Sequence, residues 1–289
     1  DDGYILIEID KRQAEWVVVA YLAEDARMIE VHEKSLDAHA YTGNLITGVP
    51  MDIIKKENKL LKHENDPERL KAKREELIPE IFDSALFLPR TMTSRQAGKH
   101  SNHGLNYGMY PDKFAIQNEV PSDDAKVMWT KYHEGYPGIQ KRFHQFVRDQ
   151  LAKNRTLYNL YGHRRRFLQP FGYKLYNAAY DYIPQSTVGW VLNFGMIHIY
   201  EDSRPILKDV NILANIHDSI LMQFPLSLGP QGLSDAIELC CQHLDPLLEC
   251  FGRKFRIGTD FKIGYNWRDM SEISREENSY VKIQEAIGV

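Results

Sequence analysis

Hydrophobic and polar positions along the chain follow a strand-like period in some segments and a helix-like period in others. Residues 3–10 (GYILIEID) are apolar and β-branched and end in Asp10, which predicts a buried strand. Residues 208–224 predict a strand, a turn at His217-Asp218 and a second strand, and residues 255–264 predict a final strand pair. The pattern therefore predicts strands near both ends of the chain.

Between these strands the pattern is mainly helical. Residues 51–82 are rich in lysine and glutamate and predict two charged surface helices, broken near Asp66-Pro67. Residues 271–289 are polar and fit either a loose tail or a docked helix. The remaining predicted elements are a hairpin at 156–168, a long helix at 173–200 and an amphipathic helix at 233–251.

One predicted helix, at about 93–107, carries an unusual row of side chains. Gly108 follows it and suits a helix end. A spacing of four residues places side chains on one stripe of a helix. Two cations on such a stripe suit a polyphosphate, and two rings suit a sugar or base; the alternative is a solvated basic helix. The stripe consists of Arg95, Lys99, His103 and Tyr107.

The composition of the 289 residues, 43% hydrophobic and 26% charged, is typical of a globular protein in water. No apolar run approaches the roughly 18 residues of a membrane helix. The three cysteines show no Cys-x-x-Cys spacing, so neither a disulfide framework nor a zinc site is indicated, and a reducing, cytoplasmic location is expected.

The net charge of −4 hides an uneven distribution of charge along the chain. The first forty residues are acidic, whereas residues 139–180 are basic, with Asp149 as the one acid there. This arrangement fits a polyanion-binding surface next to a carboxylate site, and it fits a chance run of solvated helix charge equally well.

Two aspartates lie where an unpaired charge is costly. Asp10 ends an apolar strand, and Asp218 lies between two apolar runs. Aspartates from adjacent strands can hold two Mg²⁺ ions for an in-line phosphoryl transfer. The alternative for each is a turn cap or an ion pair with a base.

Eight segments in the right order resemble motifs of the family A DNA polymerases, the bacterial DNA polymerase I enzymes and their phage relatives. The resemblance covers nearly the whole chain. The segments are DKRQAEWVVVAYL (10–22), DAH (37–39), RQAGKHSNHGLNYG (95–108), YPG (136–138), GHRRRFL (162–168), DYIPQ (181–185), IHDS (216–219) and KIGYNW (262–267).

The resemblance implies a role for each matched residue. Asp10 and Asp218 would carry two Mg²⁺ ions, for which Mn²⁺ can substitute, and the Lys11 carbonyl would be a further ligand. Glu15 would act as the steric gate against a ribose 2′-hydroxyl. The incoming nucleotide would be held by Gln13, His39, Arg95, Lys99 and His103, with Tyr107 guarding the template base at the insertion site.

The resemblance also implies a primer-template surface. The residues expected to line it are Asn177, Asp181, Gln185 and His217, with Arg164 and Arg165 in the basic stretch beside the DNA backbone.

Several positions depart from the pattern of the family. His103 stands where the family has Phe or Tyr, which predicts altered sugar discrimination and a pH-dependent nucleotide affinity. Ser219 replaces the usual Glu, Asp181 the usual Asn, and Val17 a common Arg. Residues 51–82 are longer than the usual link and are interpreted as a surface insertion, with a DNA or partner contact as the alternative. These departures suggest a phage or other viral source.

The fold class implied is α+β, a polymerase right-hand fold without thumb or exonuclease domains. A small antiparallel palm sheet would be formed by residues 1–36 and 177–270, a largely helical fingers insertion by 37–176, and a C-terminal tail by 271–289. Because the sequence begins just before the first catalytic strand, a thumb, and an exonuclease if there is one, are expected on an upstream segment or a separate subunit.

The function implied is DNA-templated DNA polymerisation, in which a primer 3′-hydroxyl attacks a dNTP and pyrophosphate leaves. The expected partners are primer-template DNA and dNTPs, with no membrane. Two alternatives stay open. One is a single-subunit RNA polymerase, against which Glu15 argues. The other is a non-catalytic nucleic-acid-binding remnant, motivated by His103 and Ser219.

Overall fold

A computed structural model describes residues 3–275 and 279–288. The chain forms two compact units. The first, here called the sheet unit, comprises the described parts of Asp1–Glu15, Asn159–Gly162 and Gln185–Val289. The second, called the helical unit, comprises Trp16–Tyr158 and His163–Pro184. The palm and fingers boundaries expected after residues 36 and 176 stay a prediction.

The helices and strands follow one another as the hydrophobic pattern broadly predicts. Short non-α helices occur at Ile139–His144 (a π-helix), Pro205–Leu207 and Leu226–Leu228. The helices are α1 (Ala14–Leu22), α2 (Ala26–Glu33), α3 (Ala38–Thr47), α4 (Met51–Leu61), α5 (Pro67–Leu77), α6 (Glu80–Ser84), α7 (Ser94–Leu105), α8 (Pro111–Gln117), α9 (Ser122–Gly135), α10 (Gln145–Asn154), α11 (Tyr173–Glu201), α12 (Gly229–Leu244) and α13 (Ser279–Ile287). The strands are β1 (Tyr4–Lys11), β2 (Thr156–Tyr158), β3 (Arg164–Arg166), β4 (Asn211–Ile216), β5 (Ser219–Pro225), β6 (Leu248–Cys250), β7 (Arg253–Phe255), β8 (Thr259–Gly264) and β9 (Ser271–Ile273).

The sheet unit is built on an antiparallel sheet. Within the described residues it has five strands in the order β4-β5-β1-β8-β9. Because strand side chains alternate between faces, Ile5, Ile7 and Ile9 point to one face of the central strand, and all three are buried. Glu8 and Asp10 point to the other face. The register places Asp10 opposite Ser219 of β5 and opposite Asp260 of β8.

In the helical unit, α3 and α7 approach each other backbone to backbone. A Cβ atom built on Gly98 would lie 2.0 Å from the His39 carbonyl oxygen, and one on Gly43 would lie 2.5 Å from the Ser94 carbonyl oxygen. Neither position has room for a larger residue. Most of the other buried residues of α7 are also small (Ser94, Ala97, Ser101 and Gly104), so the two helices pack closely.

The charged segment 51–82 is less of a surface feature than predicted. Its two predicted helices exist as α4 and α5, separated at Asp66-Pro67, and α6 follows. However, Ile54, Leu61, Leu70, Ile78 and Ile81 form a buried apolar cluster with Ala40 and Val49. The high lysine and glutamate content hid these five apolar positions, which make the segment a packed part of the helical unit.

Two further predictions need correction in the sheet unit, and for residues 271–289 the docked helix, not the loose tail, is confirmed. The amphipathic helix at 233–251 ends at Leu244, because Pro246 has no backbone N–H to continue it, and β6 follows. The strand pair predicted at 255–264 is β8 alone within the large sheet, since Phe255 ends the separate β6-β7 hairpin. Within 271–289, the described residues form β9 at the sheet edge and α13, which packs against α12.

Candidate active site

The sheet brings the two predicted metal-binding carboxylates together. Asp10 is the last residue but one of β1 and pairs with Ser219, and Asp218 lies in the two-residue turn that leads from β4 into β5. The backbone N–H of Lys11 donates to the Asp218 carbonyl oxygen at 3.1 Å. His217, the other turn residue, has a φ of 56°, a left-handed conformation that costs a non-glycine residue some free energy. The hairpin and the central strand thus fix both aspartates in one sheet.

The environment of Asp10 favours a cation. Its Oδ1 is buried and has no hydrogen-bond partner among the described residues. Burial and the nearby charge of Asp218 together raise the pKa of Asp10 to about 6, although Lys262 opposes this. A divalent cation would satisfy Oδ1 and remove the repulsion between the two carboxylates. The pair is therefore suited to hold Mg²⁺.

No third ligand comes from the side chains that bind metals most often. Within residues 3–275 and 279–288, no cluster of three or more His, Cys, Asp or Glu is arranged to hold a metal ion. This does not conflict with a magnesium site, because Mg²⁺ commonly uses one or two carboxylates and completes its shell with water and substrate phosphate.

Lys11 has a structural role that its sequence position did not reveal. Its side chain is buried, and its ammonium group donates to the carbonyl oxygens of Leu244 and Ile257 and to Asp245 at 2.8 Å. Arg275 also pairs with Asp245 and bonds Glu238 at 2.6 Å. These bonds tie the end of β1, next to Asp10, to the rest of the sheet unit.

The helical unit turns the predicted polar stripe of α7 outward. Lys99 and His103 are exposed and Arg95 is half-buried, whereas the small residues on the opposite face are buried against α3. α7 ends at Leu105, earlier than the predicted helix, so Tyr107 lies in the turn that follows and is half-buried there. The Nε of Arg95 donates to Asp37 Oδ2 at 2.6 Å. Asp37 also accepts the N–H groups of His39 and Ala40 and so caps α3.

His39 is held as a neutral imidazole beside this stripe. Asn102 donates to its Nδ1 at 3.0 Å, which leaves the ring proton on Nε2. Burial lowers the pKa of His39 to about 3. The charge of Asp37 opposes this shift, whereas the charges of Arg95, His103 and Lys99 also lower the pKa. The His39 and His103 rings lie 5.7 Å apart. The structure therefore brings His39, Arg95, Lys99 and His103 together as an anion-attracting surface.

A similarity to known proteins extends over most of the chain. The model of DNA polymerase family A matches residues 81–269, which is more than half of the sequence. The chain belongs to DNA polymerase family A.

Among the relatives of this polymerase-family chain are bacterial DNA polymerase I proteins. The thermostable DNA polymerase I of Thermus thermophilus is 21% identical over 230 residues, which cover 77% of this chain and 23% of that protein. The DNA polymerase I of Bacillus caldotenax is 20% identical over 277 residues, 93% of this chain and 26% of that protein. The chain thus spans about a quarter of the length of these relatives.

A solved structure has the same fold. The POL domain of Pol1 from M. smegmatis, in complex with DNA primer-template and dNTP, superimposes with a TM-score of 0.68 at 21% identity, covering 92% of this chain and 41% of that one. The named relatives are bacterial, and the phage source expected from the sequence stays a prediction.

The helical unit of this family A chain also contains a polar, aromatic pocket of about 230 Å³. Gly108, Tyr110, His133, His144 and Tyr180 contribute to its lining, and the rings of His144 and Tyr180 stack at 3.9 Å. Asn177, a predicted template residue, also lines it and donates its side-chain N–H to the carbonyl of Tyr107. This hydrogen bond links Asn177, which lines the pocket, to Tyr107 next to it.

The other predicted DNA-binding residues fall in both units. Arg164 and Arg165 lie on the exposed β3 strand of the helical unit, and Arg165 stacks over the rings of Phe167 and Tyr182. Asp181 belongs to the helical unit, whereas Gln185 and His217 are exposed residues of the sheet unit. Gln13, with a φ of 52°, and Glu15 follow β1 in the sheet unit.

Sequence reasoning missed two residues of this candidate site. Glu8 lies on the same face of β1 as Asp10, and a strand period of two could have revealed it. Asn102, which orients His39, lies on the buried face of α7 and left no signal in the sequence. Among the described residues, none of the helices combines the length and the apolar character needed to cross a bilayer.

Proposed function

We propose that this chain is the catalytic part of a DNA-templated DNA polymerase. The observation that carries the proposal is that Asp10 of β1 pairs with Ser219, the residue next to Asp218, in one antiparallel sheet, and that a buried Asp10 oxygen has no hydrogen-bond partner among the described residues. Family membership and the fold shared with a polymerase domain support it. The sheet unit would serve as the palm and the helical unit as the fingers.

Asp10 and Asp218, with the Lys11 carbonyl, would hold Mg²⁺ or Mn²⁺. When bound, the metal supplies charge neutralisation at the reacting phosphate and lowers the pKa of the primer 3′-hydroxyl. The contribution of the chain is to fix the carboxylates. The buried side chain of Lys11 and the hydrogen bond from its N–H to Asp218 do this at the end of β1.

The outward stripe of α7 would bind the incoming dNTP. Arg95 and Lys99 match a triphosphate in charge, and neutral His39 offers an Nε2–H donor. His103 and Gln13 would contact the nucleotide, and Glu15 would exclude a 2′-hydroxyl. Asp37 already orients the Arg95 guanidinium before nucleotide arrives.

The pocket beside Tyr107 would receive the template strand. Its stacked rings suit a nucleobase, and the buried Asn177 Oδ1 has no hydrogen-bond partner among residues 3–275 and 279–288, so it can accept from a base. Asp181, Gln185, His217, Arg164 and Arg165 would complete the primer-template surface. A thumb on another segment or subunit would grip the duplex.

A test of template dependence separates this proposal from its alternatives. Four primer-templates that differ in one template base are each incubated with the chain, Mg²⁺ and one dNTP or rNTP at a time. The proposal expects the added nucleotide to follow the template base and dNTPs to exceed rNTPs at least about a hundredfold. A preference for rNTPs would support the RNA polymerase alternative. Glu15→Ala tests whether Glu15 is the residue that discriminates between dNTPs and rNTPs.

The remnant alternative predicts a different result in the same assay. Such a protein binds primer-template equally well with and without Asp10→Ala and adds no nucleotide with Mg²⁺ or Mn²⁺. That outcome, obtained with a thumb segment supplied as well, would overturn the proposed function.

A further inference from the structure

The charged segment 51–82 contains a buried ion pair. The side chains of Glu57 and Arg74 are 0% and 5% exposed, and Arg74 Nε donates to Glu57 Oε1 at 2.8 Å. A buried ion pair is tolerated when its remaining polar atoms also find partners. Those partners all lie outside the segment, at the beginning of α7.

Arg74 holds the backbone that leads into α7. Its two terminal nitrogens donate to the carbonyl oxygens of Pro89 at 2.7 Å and Met92 at 2.9 Å. Carbonyls in such a connecting stretch otherwise need water. The guanidinium therefore fixes the path of the chain just before the helix.

Glu57 holds the first turn of α7 itself. Its Oε2 accepts the backbone N–H of Ser94, the first residue of the helix, at 2.8 Å. The first amides of a helix have no intrahelical acceptor, and a carboxylate there also complements the helix dipole. A capping box between Thr93 and Gln96 completes the end, and the Gln96 amide donates to the Lys62 carbonyl of the same charged segment at 2.8 Å.

From these contacts we infer that Glu57 and Arg74 are positioning residues for nucleotide binding. They fix the amino end of α7 and thereby the direction of Arg95, which directly follows Ser94. The inference rests on the proposed function for the identity of the ligand. It gives the segment a role inside the protein, in place of the DNA or partner contact considered from the sequence.

Two matched double variants test this without leaving a buried charge unpaired. Arg74→Met with Glu57→Gln keeps an acceptor for the Ser94 N–H, whereas Arg74→Met with Glu57→Leu removes it at similar volume. Glu80→Gln is the control, because Glu80 lies in the same segment but forms an exposed pair with Lys56 at 2.6 Å. Folding of each variant is checked by circular dichroism.

Two readouts are compared: hydrogen exchange at the Ser94 amide, and the Kd for dATP with Mg²⁺ and for inorganic tripolyphosphate. The Glu57→Leu double variant is expected to exchange Ser94 at least about tenfold faster and to bind both probes about tenfold more weakly. The Glu57→Gln double variant loses only the Arg74 contacts to Pro89 and Met92 and is expected to fall between the Glu57→Leu double variant and wild type in both readouts, whereas Glu80→Gln is expected to stay near wild type. In primer extension, the Glu57→Leu double variant is expected to have a higher KM for dNTP and a nearly unchanged kcat.

The outcomes separate this inference from the proposed function. Unchanged Ser94 exchange or unchanged Kd in the Glu57→Leu double variant overturns the inference alone, as does an equal loss in both double variants. A wild-type chain that binds neither dATP nor tripolyphosphate overturns the proposed function, and with it the nucleotide-binding part of the inference.

Discussion

The Ser219 hydroxyl donates to the Glu8 carboxylate at 2.9 Å, from the first residue of β5, which follows Asp218, to β1, which carries Asp10. Both side chains are buried. Burial opposes the charged form of Glu8, but hydrogen bonds from Ser219 and Trp267 and the charge of Lys262 outweigh it and lower the Glu8 pKa. A carboxylate thus lies beside position 219 although the residue there is serine.

This relationship predicts that Ser219→Glu is harmful on its own. The new carboxylate would face Glu8 in a buried site, which we expect to lower the free energy of unfolding by at least about 2 kcal/mol. Adding Glu8→Ala removes the repulsion and is expected to recover most of the loss. Chemical denaturation of the two single variants and the double variant measures the coupling, and additive effects would contradict the prediction.

The close approach of α3 and α7 predicts different outcomes for two glycines of the same helix. Gly98→Ala would place a methyl group within 2.0 Å of the His39 carbonyl oxygen and is expected to cost more than about 2 kcal/mol. Gly104→Ala meets the end of the flexible Met109 side chain at 3.2 Å and the edge of the Phe114 ring at 3.4 Å, contacts that a small shift relieves, and it gains helix propensity. Thermal unfolding of both variants tests this, and equal destabilisation would refute the described packing.

Two buried histidines predict acid sensitivity of the helical unit. Burial lowers the pKa values of His133 and His144 to about 4 each, against roughly 6.5 in an unfolded chain. The unfolded state therefore binds protons first as the pH falls. Stability is expected to be level above about pH 6.5 and to decline toward pH 4, and His133 and His144 together are expected to contribute on the order of 2–3 kcal/mol per pH unit to this decline.

The histidine contribution can be isolated by substitution. The slope of the unfolding free energy against pH is proportional to the number of protons taken up on unfolding. In His133→Gln that number is expected to fall by about one between pH 6.5 and 4, so the slope becomes smaller. His63→Gln, at an exposed position, is expected to keep the wild-type slope. A wild-type slope in His133→Gln as well would show that His133 does not contribute.

The exposed imidazole of His103 predicts a pH-dependent nucleotide affinity. With His103→Phe, the KM for dNTP is expected to lose its dependence on pH between 5 and 8, because phenylalanine cannot titrate. The selectivity for dideoxynucleotides is expected to change in the same variant. Steady-state kinetics at several pH values tests both. An equal KM and an equal selectivity in wild type and variant at every pH would contradict the prediction.

The sequence predicted the elements that carry strong periodic or turn signals. The strand ending in Asp10, the turn at His217-Asp218, the hairpin at 156–168 and the long helix α11 are all confirmed. The polar stripe of α7 was visible because four residues repeat at a spacing of four. Such local signals also predicted that Asp10 lies near a strand end and Asp218 in a turn. Their closeness in space then followed from the pairing of the strands.

The remainder depends on contacts between residues far apart in the chain. Nothing local to Glu57 or Arg74 distinguishes their buried pair from the exposed pairs around it, since all of them are lysine, arginine and glutamate on charged helices. The same holds for Lys11, whose partners Asp245 and Ile257 follow more than 230 residues later. Burial decides these roles, and a single sequence does not reveal burial of a charge.

The central claim is that Asp10 and Asp218 form the catalytic centre of a DNA polymerase. The most direct test is single-turnover primer extension with dNTP and Mg²⁺, comparing the wild-type chain with Asp10→Asn and Asp218→Asn, with Asp235→Asn on the surface of α12 as control. We predict template-directed addition by the wild type and the control, and a fall of at least about a thousandfold in both aspartate variants. Extension that survives either substitution would contradict the claim.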